Sequence, residues 1–170
     1  MIDVPCKNTM LKYFIYFKYL FKHKYYTCKA CWKKGLYWQG IVHDLSKLLP
    51  DELIPYVNFF EHPPKRKETG YCKPTDTGDK AFDMAWLYHQ KRNRHHWQYW
   101  CCPKNEGGLE ILPMPHKYRL EMLADWWSAS MAQGYGGKSK DWYEENKSKI
   151  QLHPETKKWV EKNISNNFIK

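Results

Sequence analysis

The residues best suited to chemistry in this sequence are a histidine and an aspartate that stand side by side, His43 and Asp44. An imidazole and a carboxylate together suit a Mn, Fe, Zn or Mg ion, unlike the thiolates that hold structural zinc. Neighbouring side chains on a regular helix point about 100° apart. The pair can therefore converge on one ion only where a helix begins or is distorted. Without further ligands, a hydrogen-bonded histidine near a helix start that Asp44 caps explains the pair better.

Residues of the same types recur along the chain. His23 lies in the middle of a helical pattern of apolar residues, and His89, His95 and His96 fall within eight residues. A solvated helix end explains the flanking arginines but not three histidines so close together. Asp125 has three apolar residues before it and two tryptophans after it. Because burying such a carboxylate is costly unless it is paired or bound to a metal, Asp125 is a further candidate ligand.

The elements that must position these residues are helices. Apolar spacing predicts a short helical segment that ends near residue 49. It predicts longer helices over residues 10–34, 51–60, from 79 onward, 115–134, 140–149 and 154–164. If the helix from residue 79 continues to 96, His89 and His96 share a face, with Asn93 between them and His95 turned away. Residues 1–8 are expected to form an arm, and residues 35–40 and 101–114 irregular connections. Residues 61–78 form the longest expected loop, a candidate lid with simple disorder as the alternative.

The fold class predicted from this pattern is all-α, because no segment shows sustained strand alternation. No repeat or linker divides the chain of 170 residues, which is long enough to bury a core as one domain. The expected organisation is a single compact helical bundle over 1–170. Its core spans about 14–135, and C-terminal helices at 139–165 pack on it.

Composition restricts the partners and the compartment. The formal net charge of +10 favours anionic partners such as nucleotides. The most apolar stretch, Met10 to Phe21, is interrupted by two lysines, so it is too short and too charged to span a bilayer, and core packing is its expected use. Six cysteines without a secretory signal indicate reduced thiols and a cytoplasmic protein, of a bacterium or of the host cell if phage-encoded.

The order of these candidate ligands along the chain resembles that of the HD-domain superfamily of metal-dependent phosphohydrolases. On successive helices it is His23, then His43-Asp44, then His89 with His95 or His96, then Asp125. In that family, His, His-Asp and Asp lie on separate helices of a compact α-helical domain. The resemblance covers residues 14–135, and the chain looks like a short bacterial or phage branch. It implies that His23, His43, Asp44 and Asp125 bind one metal, and that His89 and His96 bind a second with Asp44 bridging.

The resemblance also implies an activity. Lys47 matches the HD-x-x-K variant of several phosphodiesterase branches, which makes Asp44 and Lys47 the expected catalytic residues. The expected cofactor is one or two divalent ions (Mn, Fe, Zn, Ni or Mg). The expected substrate is a nucleotide or another phosphorylated small molecule, either a nucleoside monophosphate or a cyclic or oligonucleotide diester. Candidates for holding it are Lys47, Arg92, Asn93, Arg94, His95 and Lys138. We expect no stable nucleic-acid complex and no membrane association, and the oligomeric state is open.

Two other classes of protein fit parts of the sequence. A non-catalytic nucleic-acid or nucleotide-binding protein would use the basic charge and exposed aromatic residues. A structural zinc protein would use Cys28 and Cys31 with Cys101 and Cys102, which meets the ligand count. However, the first cysteine pair falls inside a predicted helix rather than in a knuckle turn, and two adjacent cysteines chelate poorly.

Overall fold

The structure is a computed structural model, and it describes residues 9–61 and 78–169. Within these ranges the chain forms seven α-helices and one small hairpin. The helices are α1 (Thr9–Lys33), α2 (Tyr37–Val42), α3 (Pro50–Glu61), α4 (Lys80–Arg92), α5 (His116–Ala132), α6 (Ser139–Asn146) and α7 (Pro154–Asn163). The strands are β1 (Cys101–Pro103) and β2 (Leu109–Ile111), paired antiparallel. The all-α fold class is therefore confirmed.

The long helix α1 is the element around which the others are arranged. It packs against α5, α2 and α3, and α3 in turn packs against α4. The buried residues form two apolar clusters. One joins the C-terminal half of α1 to α5, α6 and α7, and the other joins the N-terminal half of α1 to α3 and α4. On the buried face of α1, His23 and Thr27 lie between Leu20 of the second cluster and Ala30 of the first, so polar side chains occupy the region between the two apolar clusters.

Local chemistry explains where the helices begin and end. Asp79 caps α4 by accepting hydrogen bonds from the backbone N–H groups of Ala81 and Phe82, as an N-cap carboxylate does. At the end of α4, the amide side chain of Asn93 donates to the carbonyl of His89, one of the last acceptors of the helix. At the end of α1, Gly35 adopts a φ of +74°, a conformation that favours glycine.

Three sequence-based expectations about elements are wrong. Residues 37–40, expected in a loop, belong to α2, a helix of only six residues that is too short to show a periodic pattern. Helix α4 ends at Arg92 and does not continue to residue 96. The connection at 101–114 contains a hairpin whose strands have three residues each, too few to show alternation. The predicted arm at 1–8 and nearly all of the predicted loop at 61–78 lie outside the described residues.

The N-terminal half of α1 also differs from expectation. Met10, Leu11, Phe14, Ile15 and Phe21 are exposed, although their spacing predicted a core-facing side. The buried stripe of α1 runs instead through the residues of the two clusters. No helix in the described part of the chain has the length and apolar character needed to cross a bilayer.

Candidate metal centre

The first group of candidate ligands comes from three parts of the chain. His23 projects from α1, His43 and Asp44 follow α2, and Asp125 lies on α5. The Nε2 atom of His23 is 3.1 Å from Asp125 Oδ1 and 3.5 Å from Asp44 Oδ2. Nε2 of His43 is 3.4 Å and 3.5 Å from the same two oxygens. The structure thus brings one ligand atom from each of these four residues within 4.8 Å of the others.

The backbone at Asp44 allows two adjacent residues to reach this point. Asp44 has a φ of +58°, the one positive value at a non-glycine residue among the described residues. It connects the end of α2 to a short 3-10 helix over Leu45–Leu48. Aspartate tolerates the left-handed region better than most residues, yet such a position is strained and occurs often at functional sites. This turn is the distortion that lets His43 and Asp44 converge.

The second group surrounds the other oxygen of the same aspartate. It consists of Asp44, His89, His95 and His96. Nε2 of His89 and Nε2 of His95 lie 3.3 Å and 3.4 Å from Asp44 Oδ1. Oδ1 and the three Nε2 atoms are all buried, and none has a hydrogen-bond partner among the described residues. Buried polar atoms are rarely left this way in native proteins, and four of them around one point are accounted for if a cation binds there.

The two oxygens of Asp44 therefore divide between the groups. Oδ2 faces His23 and His43, whereas Oδ1 faces His89 and His95. Asp44 is 4% exposed, so its carboxylate is removed from water and depends on these neighbours. A carboxylate in this position is suited to bridge two metal ions, one on each oxygen.

The opposite nitrogen of each of four rings contacts an oxygen that orients the ring. Nδ1 of His43 and Nδ1 of His95 contact Glu121 Oε1 at 3.1 Å and 3.3 Å. Nδ1 of His89 is 2.9 Å from Glu52 Oε2. Nδ1 of His23 is 3.4 Å from the hydroxyl of Ser128. Such contacts fix the tautomer of a ligating histidine and raise its basicity.

Sequence reasoning missed Glu121, Glu52 and Ser128. One signal was present for two of them, because Glu121 precedes Asp125 by four residues and Ser128 follows it by three, so both share its face of α5. Glu52 gave no such signal. It lies in the first turn of α3, and its 0% exposure depends on packing between α3 and α4.

The electrostatics of the centre are dominated by buried carboxylates. Burial alone would raise the pKa of Asp44, but the His43 imidazole and the Lys47 ammonium hold it well below its usual range. Burial likewise opposes ionisation of Glu121, yet hydrogen bonds from His43 and His95 lower its pKa to about 2. Carboxylates that stay ionised in a buried site require positive charge nearby.

Burial and the nearby carboxylates shift the pKa values of these imidazoles in opposite directions. Burial disfavours the charged ring of His95, but contacts with Asp44 and Glu121 outweigh it and raise the pKa to about 10. For His89 burial prevails and lowers the pKa. For His96 burial and the neighbouring imidazoles lower it further. The carboxylates that draw a proton onto His95 would also attract a divalent ion, which competes with protons for ring nitrogens.

Three of the residues predicted to hold substrate have other partners. Lys47 is buried, and its Nζ lies 2.5 Å from Asp44 Oδ2. Arg92 is bound to the carboxylates of Asp51 and Glu52. The side chain of Asn93 donates to Ser46 and to the carbonyl of His89. These contacts account for all three residues structurally, and their roles toward a substrate remain predictions.

The other three substrate candidates divide between the site and the surface. His95 was expected to turn away from the helix face of His89 and His96. It follows α4 rather than continuing it, and points inward at 2% exposure, which corrects that expectation. Arg94 is exposed, with its guanidinium beside the rings of Tyr99 and Tyr118. Lys138 is exposed and immediately precedes α6.

The four cysteines among the described residues do not contribute to these groups. Cys28 and Cys31 lie within α1, and burial raises the pKa of the Cys31 thiol to about 12, which disfavours the thiolate that zinc requires. A third group of possible ligand residues consists of His43, His95 and Glu121, and none of the three groups contains a cysteine. The buried histidine, aspartate and glutamate groups could hold a metal ion, and their nitrogen and oxygen donors fit Mn, Fe, Zn or Ni better than Ca.

The chain matches the model of a family of unknown function, DUF5662, over residues 12–166. The chain belongs to this family. The matched region contains all the residues of both ligand groups, so the centre described above lies inside the family's domain rather than in an appended segment. Searches of curated proteins and of solved structures gave no significant match.

Proposed function

We propose that this protein is a metal-dependent phosphohydrolase that cleaves a phosphoester bond in a nucleotide-type substrate. The observation that carries the proposal is the Asp44 carboxylate, which presents one oxygen to each of two groups of inward-facing imidazoles. Four buried ligand atoms at one of these groups have no hydrogen-bond partner among the described residues. A bridging carboxylate between nitrogen-rich groups is suited to paired metal ions in phosphoester hydrolysis.

The order of the ligands along the chain also supports the proposal. His23, the His43-Asp44 pair and Asp125 lie on successive parts of a helical domain, the order that resembles the HD-domain superfamily. Divalent ions in such a centre supply a hydroxide nucleophile near neutral pH and neutralise charge on phosphate oxygens. In this proposal His23, His43 and Asp125 with Asp44 hold one ion, and His89, His95 and His96 with Asp44 hold the other.

The exposure and contacts of three further side chains indicate their roles in this proposal. Asp125 has the most accessible side chain of the first group, at 14%, so the substrate approaches from the side of α5. Lys47 is held against Asp44, so its role is to neutralise and orient that carboxylate. Arg94 directly precedes His95 and is exposed, and the fork of its guanidinium is suited to a phosphate. The net charge of +10 favours an anionic substrate.

The experiment that tests the proposal is a metal-dependent hydrolysis assay. Purified protein is incubated with Mn²⁺ and with either bis-nitrophenyl phosphate or nitrophenyl phosphate, which separates diester from monoester activity. Nucleoside monophosphates and cyclic nucleotides follow as a panel, with phosphate or monophosphate release measured. We expect cleavage that EDTA abolishes and that the variant Asp125→Asn lacks. The exposed Glu144→Gln variant on α6 serves as the matched control, and cleavage by both variants alike would refute the ligand assignment.

One observation favours a second function, the binding of nucleic acid without turnover. Helix α1 carries six lysines and no acidic residue, and it exposes Phe14, Phe21, Tyr25 and Trp32. Aromatic and basic side chains together are suited to stacking on bases and contacting phosphates. This function predicts binding that weakens steeply with salt and no metal-dependent product. The hydrolysis assay and a salt titration of oligonucleotide binding therefore distinguish the two.

A further inference from the structure

Glu121 is placed differently from the other residues that orient the rings. A single oxygen, Oε1, lies 3.1 Å from Nδ1 of His43 and 3.3 Å from Nδ1 of His95. The two rings are close neighbours, with centroids 4.2 Å apart. Yet His43 belongs to the first ligand group and His95 to the second. One buried carboxylate, 5% exposed, therefore contacts one ring of each group.

The other orienting residues each serve one group. Glu52 contacts His89 alone among the rings, and its other oxygen accepts from Arg92. Ser128 contacts His23 and is itself hydrogen-bonded to Thr27. Removing either residue should therefore disturb one ligand of one group. Variants of Glu52 and Ser128 can therefore serve as controls for a variant of Glu121 within the same centre.

The physical effect of Glu121 is on the nitrogen opposite to the one it contacts. A carboxylate that accepts the Nδ1–H of an imidazole selects the tautomer with a free lone pair on Nε2 and makes that nitrogen more basic. It also fixes the plane of the ring. Since His43 and His95 both aim Nε2 toward Asp44, one carboxylate prepares a donor nitrogen on each side of Asp44.

We infer that Glu121 is a positioning residue shared by the two halves of the centre, so that both ions depend on it. The inference rests on the proposed two-ion centre and assigns to this chain a residue on which both ion affinities depend. Loss of a partner that orients a ligating histidine costs about 10–100-fold in metal affinity. The variant Glu121→Gln should therefore raise both dissociation constants by about that factor, whereas Glu52→Gln and Ser128→Ala should each raise one.

The test measures the two sites separately by isothermal titration with Mn²⁺. A background carrying His23→Ala and Asp125→Ala keeps only the second group intact, and one carrying His89→Ala and His96→Ala keeps only the first. Adding Glu121→Gln to each background should raise the dissociation constant in both. Glu52→Gln should act only in the background that keeps His89, and Ser128→Ala only in the one that keeps His23.

The outcomes separate this inference from the proposed function. If the wild-type chain binds no Mn²⁺, both are overturned. If it binds two ions and Glu121→Gln changes neither affinity, or only one, the inference alone is overturned. Circular dichroism and thermal unfolding in EDTA show whether each variant is folded. Glu121→Asp, which keeps the charge but withdraws it by one methylene, replaces the Gln variant if that variant does not fold, and is expected to weaken both sites as well.

Discussion

The buried ion pair between Lys47 and Asp44 permits a quantitative prediction. Nζ of Lys47 lies 2.5 Å from Asp44 Oδ2, and the two side chains are 8% and 2% exposed. Replacing Lys47 by Met keeps most of the side-chain volume but leaves a buried carboxylate without its ammonium partner. Breaking a buried pair in this way costs about 3–5 kcal/mol. Because His23 and His43 also contact Oδ2 and compensate in part, we expect a loss near 3 kcal/mol.

The chain contains a matched control for this substitution. Lys147 and Glu144 are also three residues apart and in contact at 2.6 Å, but their side chains are 47% and 50% exposed. Exposed pairs contribute little to stability because water and salt screen them. The variant Lys147→Met should therefore leave the free energy of unfolding almost unchanged, so that the comparison isolates the effect of burial.

The assay is urea unfolding at pH 7 in EDTA, followed by circular dichroism. A loss of about 3 kcal/mol corresponds to a fall in Tm of roughly 6–12 °C for a protein of this size. The double variant Lys47→Met with Asp44→Asn should be more stable than Lys47→Met alone, since it leaves no unpaired buried charge. If Lys47→Met is as stable as Lys147→Met, the assignment of Lys47 as the buried counter-charge of Asp44 is wrong.

Three further predictions concern the ligands, the turn after α5 and acid stability. The variant Asp125→Asn should bind less Mn²⁺ per chain than wild type, as measured by elemental analysis, and equal content would contradict its place in the first group. Gly137→Ala should destabilise by about 2–4 kcal/mol, because the residue has a φ of +79° and a Cβ there would collide with the buried ring of Trp127. Gly136→Ala, with a φ of +69° and open space, should show only the backbone strain of about 1 kcal/mol in the same urea titration. The pKa of Glu121 is lowered to about 2, so its contribution to stability is present above the unfolded value of about 4.5 and is lost as pH falls toward 2. Metal-free Glu121→Gln should therefore lose less stability than wild type over that range in acid titrations of unfolding.

Most of the helical fold could be predicted from the sequence because its helices are long enough to show a period. Helices α1, α3 and α5 begin and end within two residues of their expected bounds. The six-residue α2 and the three-residue strands were not predicted, because elements this short show no periodic pattern. The exposed face of α1 was misassigned for another reason, since Phe14 and Phe21 match a helical period without showing which side of the helix is buried.

Most candidate ligands of the site could be predicted from the sequence, whereas the residues that orient those ligands could not. His23, the His43-Asp44 pair and Asp125 were identifiable by residue type and apolar context, and the structure brings them together. The inward placement of His95 could not be foreseen because it depends on α4 ending at Arg92. Glu52 was beyond prediction because its contact with His89 joins residues 37 positions apart, across the packing of two helices.

Anomalous scattering from crystals grown with Mn²⁺ tests most directly whether Asp44 joins two ion sites. We expect two peaks about 3.5–4 Å apart. One should lie beside Asp44 Oδ2 among His23, His43 and Asp125. The other should lie beside Oδ1 among His89, His95 and His96. A single peak next to Asp44, or none, would contradict the account.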